Sequence, residues 1–289
     1  MRIKFTFTMN YSDLQKECAA ALEAAGIANF KNESRWLVLE TAGVSAAVLY
    51  SDIPASDEHV ASIRELCRRR CSHEPLQYLL GSAPFAELEL SVSPAVLIPR
   101  SETVCLVEHA IDTLPVNGVM LDVGCGSGAI ALLAAFRRPD ITVVAVDKSP
   151  QALEVARRNC ADLGLTDRVQ FFESDLLSGV KHLRFNAIAA NLPYVSWDEY
   201  AALDDDVRCY EPEMALTAPD DGMALISRLI IDAQEFLLSG ASIVLEMSPW
   251  QTARACGELK QRGYENIQTF PDQFGKLRFV AAQRQLEKQ

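Results

Sequence analysis

The chain has 289 residues, long enough for one large domain or for two. Hydrophobic residues make up 49% of it and charged residues 23%, the balance of a soluble protein that buries a sizeable core. A net charge of −12 argues against gripping nucleic acid by its phosphates, which takes a basic surface, and favours a small ligand or a partner protein carrying basic residues.

The opening residues MRIKFTFTMN contain no apolar run of signal-peptide length. Nowhere does the chain approach the roughly 20 apolar residues of a membrane span, so a cytoplasmic protein with no membrane contact is expected. The eight cysteines form no CxxC pair, and Cys67 and Cys71 stand one helical turn apart. Free thiols in a reducing compartment, and no metal site, are the expectation.

Three amphipathic helical patterns come first. One, capped by Ser12, runs to about Ala25 with Leu14, Cys18, Ala21 and Leu22 as its apolar stripe. A second runs from Glu33 to Ala42 and turns Trp36, Leu37 and Leu39 inward. The third, from Asp57 to Cys71, sets Val60, Ile63, Leu66 and Cys67 on one face and Arg64, Arg68, Arg69 and Arg70 outside. Together they predict a small helical domain over residues 1–73. Residues 74–100 lose the helical period to Gly and Pro breaks. There Leu88, Leu90 and Val92 alternate with Glu87, Glu89 and Ser91, which predicts a β-hairpin linker. A helix capped by Ser101 is expected to run to Leu114.

From Val119 onward the strand-like runs VMLDVG, TVVAVD, VQFFES, FNAIAAN, ASIVLEM and LRFVAAQ alternate with helical patterns after Gly128, after Ser149, from Gly222 and from Pro249. Near-continuous apolar strands separated by helices predict an α/β, doubly wound parallel sheet over residues 101–289, with ligands at the C-terminal strand ends.

The motifs refine that picture. In LDVGCGSG, residues Gly124, Cys125, Gly126, Ser127 and Gly128 line a tight turn between the first strand of the sheet and a helix. Alone this turn is ambiguous, because Gly124, Gly126 and Ala129 also satisfy the dinucleotide pattern GxGxxG/A. Asp147 ends the next strand, about 20 residues further on, and suits both hydroxyls of a ribose, in a nicotinamide dinucleotide or in S-adenosylmethionine alike. Asp175 and Leu176 follow VQFFES, where Leu176 offers apolar packing against an adenine ring.

NLPY separates these readings. Asn191, Leu192, Pro193 and Tyr194 end the strand FNAIAAN and so open into the same cleft. An Asn amide oxygen and the following carbonyl can each accept one N–H of a planar amide or amine, Pro193 stiffens the turn, and Tyr194 presents a ring for stacking. Such a site suits methyl transfer to a weakly nucleophilic nitrogen. A nicotinamide enzyme has no use for it, so S-adenosylmethionine is the expected cofactor.

With these motifs in hand the chain resembles the HemK-type release-factor glutamine N5-methyltransferases. The resemblance covers nearly the whole chain and is carried by the helical N-terminal region, EPLQYLLGSAPFAELELSVSPAVLIPRSET, GCGSG, NLPYV, YEPEMAL, DDGMALISRL and DQFGKLRFV. It implies the class I, Rossmann-like methyltransferase fold and methylation of the glutamine in the Gly-Gly-Gln motif of class-I peptide chain release factors. It further implies cofactor contacts from Gly124 to Gly128, Asp147, Leu176 and Asn191, and an acceptor-amide site at Asn191 to Tyr194. It gives the Arg68–Arg70 face a part in docking the factor, and puts Arg100 and Glu102 near the pocket mouth. The family usually reads NPPY; here Leu192 keeps the carbonyl and loosens the turn. NLPY also occurs in ribosomal-RNA adenine N6-dimethyltransferases. That substrate, a ribosomal-protein glutamine, and an inactive methyltransferase-fold binding module are the alternatives.

Overall fold

A computed structural model describes residues 9–286; residues 1–8, most of the stretch read for a signal peptide, and residues 287–289 lie outside the described residues. The chain divides into two compact units. Among the described residues, one holds residues 9–81 together with Asp205–Tyr210, and the other holds Ser82–Asp204 with residues 211–286.

The first unit packs helices α1 (Tyr11–Ala24), α2 (Phe30–Ala42), α3 (Asp57–Cys71) and α4 (Leu76–Leu80) around Leu14, Leu22, Leu37 and Ile63. Its details depart from the sequence pattern in four places. Asn10, not Ser12, caps α1, its side chain accepting the Asp13 N–H at 2.7 Å. α2 starts one turn earlier than expected, and its buried stripe runs through Ser34, Leu37 and Val38, leaving Trp36 44% exposed. Arg70 is buried rather than outside, since it continues the Ile63–Cys67 face of α3. There Glu33 and Asp206 hold its guanidinium at 2.5 and 2.8 Å. α4, between Pro75 and Gly81, is too short to show a period.

The second unit opens with the antiparallel hairpin β1 (Ser82–Phe85) and β2 (Leu88–Ser91). α5 (Thr103–Asp112) follows, entered through Glu102 instead of a Ser101 cap; the Ser101 hydroxyl donates to the Glu102 carboxylate instead. Then come β3 (Val119–Val123), α6 (Ala129–Arg137), β4 (Thr142–Asp147), α7 (Pro150–Asp162), β5 (Val169–Glu173), β6 (Phe185–Asn191) and α8 (Trp197–Ala201). After α9 (Asp205–Arg208), which belongs to the first unit, the chain continues through α10 (Ala224–Asp232), β7 (Leu237–Glu246), α11 (Thr252–Gln261), β8 (Glu265–Pro271) and β9 (Leu277–Gln283).

The seven-stranded sheet runs β5-β4-β3-β6-β7-β9-β8. It is mixed, not wholly parallel, because β9 lies antiparallel to both β7 and β8. β8 is a largely exposed edge strand whose residues ENIQTFP alternate too little to be foreseen. Successive β3 side chains face opposite layers, Met120 one core and Leu121 the other, as the two-residue period of a sheet covered on both sides requires. The chain leaves β3 toward β4 on one side, and β6 pairs on the other. This reversal opens a crevice at the strand ends.

Candidate active site

A cavity of about 260 Å³ fills that crevice and is lined by Gly124, Gly126, Asp147, Leu176, Asn191, Leu192 and Pro193, together with Thr103 and Arg100. At one end the backbone does most of the shaping. The Gly124 and Cys125 N–H groups donate to the Val146 carbonyl at 2.8 and 3.0 Å, which folds the turn over the end of β4. Gly124 has φ +77°, and a Cβ there would sit 3.0 Å from Leu192 Cδ2, so the two motifs interlock through a missing side chain.

Asp147 Oδ2 accepts the Gly126 N–H at 2.9 Å and Oδ1 accepts the Ser149 N–H at 2.8 Å. Burial raises its pKa, and the backbone N–H groups work against that rise. Each oxygen keeps a lone pair for a ribose hydroxyl. Cys125 and Ser127 are buried beneath the turn, and burial pushes the Cys125 thiol well up. The Ser127 carbonyl accepts from Asn159 Nδ2 at 2.9 Å. The same Asn159 amide pairs with both backbone groups of Ser91, and so ties hairpin, α7 and glycine turn together. Leu176 is buried against the cavity with φ +51°; the exposed Asp175 faces Arg228 at 3.4 Å.

The other end is built from side chains. Asn191 Nδ2 donates to Thr103 Oγ1 at 3.1 Å, and Thr103 Oγ1 donates to Glu246 Oε2 at 2.8 Å. Burial pushes the Glu246 carboxyl up to about 7 against the Thr103 hydrogen bond and the positive charge of Arg278. Pro193 lines the cavity. Tyr194 does not: its half-buried ring packs into the core, and burial, then the Glu246 charge, raise the phenol to about 12. The Tyr194 carbonyl is clamped by Gln251 Nε2 at 2.9 Å. This clamp requires Gly222, where a Cβ would lie 1.9 Å from that carbonyl oxygen. Arg100 is held by the buried Glu211 at 2.6 Å, and Glu211 also accepts the Ile98 N–H.

Sequence reasoning missed Thr103, Gln251 and Glu246 and gave Glu211 no role. The available signals were a charged residue closing the apolar strand ASIVLE and a second one inside YEPEMAL. It also passed over Asp122, fully buried on β3, whose Oδ2 accepts the Ala131 N–H in the first turn of α6 and whose pKa burial raises to about 8. All eight cysteines are free. Among the described residues no His, Cys, Asp or Glu cluster could hold a metal, and no helix is long and apolar enough to cross a membrane.

Residues 13–81 match the PrmC N-terminal domain and residues 102–203 the methyltransferase small domain. The release factor glutamine methyltransferase of Geobacter sulfurreducens is 36% identical over 261 residues, covering 90% of this chain and 91% of the relative. That of Escherichia coli is 34% identical over 266 residues, covering 91% and 95%. The chain belongs to the release factor glutamine methyltransferase family. A methyltransferase from Pyrococcus furiosus shares the fold, with a TM-score of 0.54 at 17% identity over 70% of this chain and 91% of that one. Membership makes this member of the family an enzyme and S-adenosylmethionine its methyl donor. The Asp147 carboxylate fits that donor's ribose, and the glycine turn leaves the backbone open to a ligand's close approach.

Proposed function

We propose that the chain transfers a methyl group from S-adenosylmethionine to the side-chain N5 of a glutamine in a class-I peptide chain release factor, the glutamine being that of the Gly-Gly-Gln motif. The observation that carries this reading is that Asn191, Leu192 and Pro193 open onto the same cavity as the glycine turn and Asp147. Methyl donor and planar acceptor then share one chamber.

Bound S-adenosylmethionine supplies an electrophilic methyl carbon. The protein's own work is placement. Asp147 and the glycine turn would hold the adenosine end, and Leu176 would pack against its ring. At the acceptor end Asn191 Oδ1 and the Leu192 carbonyl each take one N–H of the target amide. Both N–H bonds are thereby drawn to one side, which favours pyramidalisation and frees the nitrogen lone pair. Transfer would leave the donor's sulfur as a neutral thioether, and the methylated nitrogen, made acidic by its positive charge, then gives up one proton to solvent, so fixed dipoles carry the catalysis and no strong base is required. Leu192 serves in the usual proline position because its contribution is the carbonyl, while its side chain packs over Gly124. The acidic chain, at −12, suits a basic protein surface and disfavours direct nucleic-acid binding. The enzyme would act in the cytoplasm.

Radiolabel from methyl-labelled S-adenosylmethionine should appear on a purified release factor and not on the same factor with its motif glutamine changed to alanine. Label on ribosomal RNA or on a ribosomal protein instead would reassign the acceptor. Cofactor binding without any transfer would make the chain a binding module.

A further inference from the structure

Asn191 sits where a side-chain amide can face an acceptor nitrogen with either its oxygen or its NH₂ group, and only the oxygen is productive. We propose that Thr103 and Glu246 set that choice: a one-way hydrogen-bond relay from Asn191 through Thr103 to Glu246 fixes the Asn191 amide with Oδ1 toward the methyl acceptor. The proposal rests on the reading of Asn191 given above and adds two positioning residues to it.

The geometry is compact. Asn191 and Glu246 are paired neighbours at the C-terminal ends of the adjacent parallel strands β6 and β7. Thr103, the first residue of α5, bridges them with bonds of 3.1 Å from Asn191 Nδ2 and 2.8 Å to Glu246 Oε2. Thr103 is 4% and Glu246 2% exposed, so water does not compete for these bonds. Donor inventory then dictates direction. An ionised carboxylate only accepts, so the single Thr103 proton is committed to Glu246. What Thr103 offers Asn191 is a lone pair, and Asn191 must answer with its NH₂ group. The planar amide turns Oδ1 the other way.

The cost of this arrangement argues that it serves a purpose. A carboxylate buried without a direct cation is destabilising. Among the described residues Glu246 has no ion-pair partner: Arg278 is bound to Asp272 at 2.9 Å and Arg100 to Glu211 at 2.6 Å. The groups that face Glu246 are Thr103 and Glu102 from α5 and its entry, Arg100 ahead of them, Arg278 on β9, and Tyr194 beyond β6. Their balance leaves its carboxyl raised to about 7. Protonated Glu246 becomes a donor, frees the Thr103 proton to swing toward Asn191, and removes the preference for Oδ1 facing the acceptor. Turnover should therefore fall as pH drops through about 7.

The test compares wild type, Thr103→Val, Thr103→Ser, Glu246→Gln and Asn191→Ala in full-length protein. It measures release-factor methylation from about pH 6 to pH 9, S-adenosylmethionine affinity by calorimetry, and the Asn191 side-chain NH₂ resonances by NMR. Thr103→Val should lower kcat at least tenfold with cofactor affinity unchanged, and Thr103→Ser should recover most of the loss. Glu246→Gln should lower kcat and abolish the acid limb. In wild type the Asn191 NH₂ signals should shift with a midpoint near that limb, and in Glu246→Gln they should not. Wild-type turnover in Thr103→Val, no rescue by Ser, or an unchanged acid limb and pH-independent NH₂ signals would overturn the relay. Full activity in Asn191→Ala would instead overturn the acceptor site itself, and the NMR titration reads the relay even then.

Discussion

The two ends of the cavity are made differently. At the adenosine end, consecutive residues do the work: one glycine turn, shaped by backbone N–H groups and locked by the Asp147 carboxylate across a gap to the neighbouring strand. At the acceptor end, Thr103, Asn191 and Glu246 come from a helix start and two strand ends far apart in the chain, and they meet through buried side-chain hydrogen bonds. A backbone-built end binds a ligand common to many enzymes. A side-chain-built end has polarity and charge to adjust, and that is where a reaction is selected.

Substitutions at the two ends should therefore separate turnover from binding. Asn191→Ala should lower kcat by about 100-fold, the usual cost of losing one preorganised hydrogen-bonding group, and leave S-adenosylmethionine affinity nearly intact. Equal losses in both quantities would erase the distinction between the ends.

Asp147→Ala should do the reverse, weakening cofactor binding by about 1.5–3 kcal/mol in calorimetry, the range for hydrogen bonds to charged groups. Unchanged affinity would leave Asp147 with only its hold on Gly126 and Ser149.

Gly124→Ala places a Cβ at left-handed φ and 3.0 Å from Leu192 Cδ2, and should cost about 1–2 kcal/mol of stability in denaturant unfolding from the backbone strain alone. In the Leu192→Ala background, measured against Leu192→Ala alone, the same glycine substitution should cost less only by its steric share. No cost in that background would show that crowding, and not backbone conformation, demands the glycine.

The remaining effect is one of pH. Glu246 has a folded pKa, about 7, above its ordinary value, so its contribution to stability is whole below the usual carboxylate range and is lost as pH rises through about 7. Asp122 follows the same sign through about 8. The melting temperature should decline between about pH 5 and pH 8, and Glu246→Gln should decline less than wild type. An identical slope in both would mean that the buried carboxylate at the acceptor end carries no such strain.

Local rules made much of the molecule legible. The alternation of apolar strands with helices, the glycine turn and Asp147 announced a doubly wound fold with an adenosine pocket, because a turn that carries a ligand is contiguous in the chain. NLPY was readable for the same reason. Features that depend on which face a residue meets were less so. Arg70 belongs by period to the buried face of α3, but only the approach of Glu33 and Asp206 makes a buried guanidinium tolerable. Trp36 reads as core, but the face of α2 that is buried runs through Ser34, Leu37 and Val38. β8 reads as nothing in particular, since an edge strand buries too little to impose a pattern.

By itself, then, the sequence determined the class of fold and the segments that line the cavity, the glycine turn, Asp147 and Asn191 to Pro193, each encoded by neighbouring residues whose conformational preferences act over one turn or one strand. The tertiary structure alone decided the antiparallel end of the sheet, the absence of the Tyr194 ring from the cavity wall and the Asn191–Thr103–Glu246 chain. These depend on strand order and burial: a hydroxyl, an amide and a carboxylate acquire direction only when the fold removes water and leaves each with a single partner.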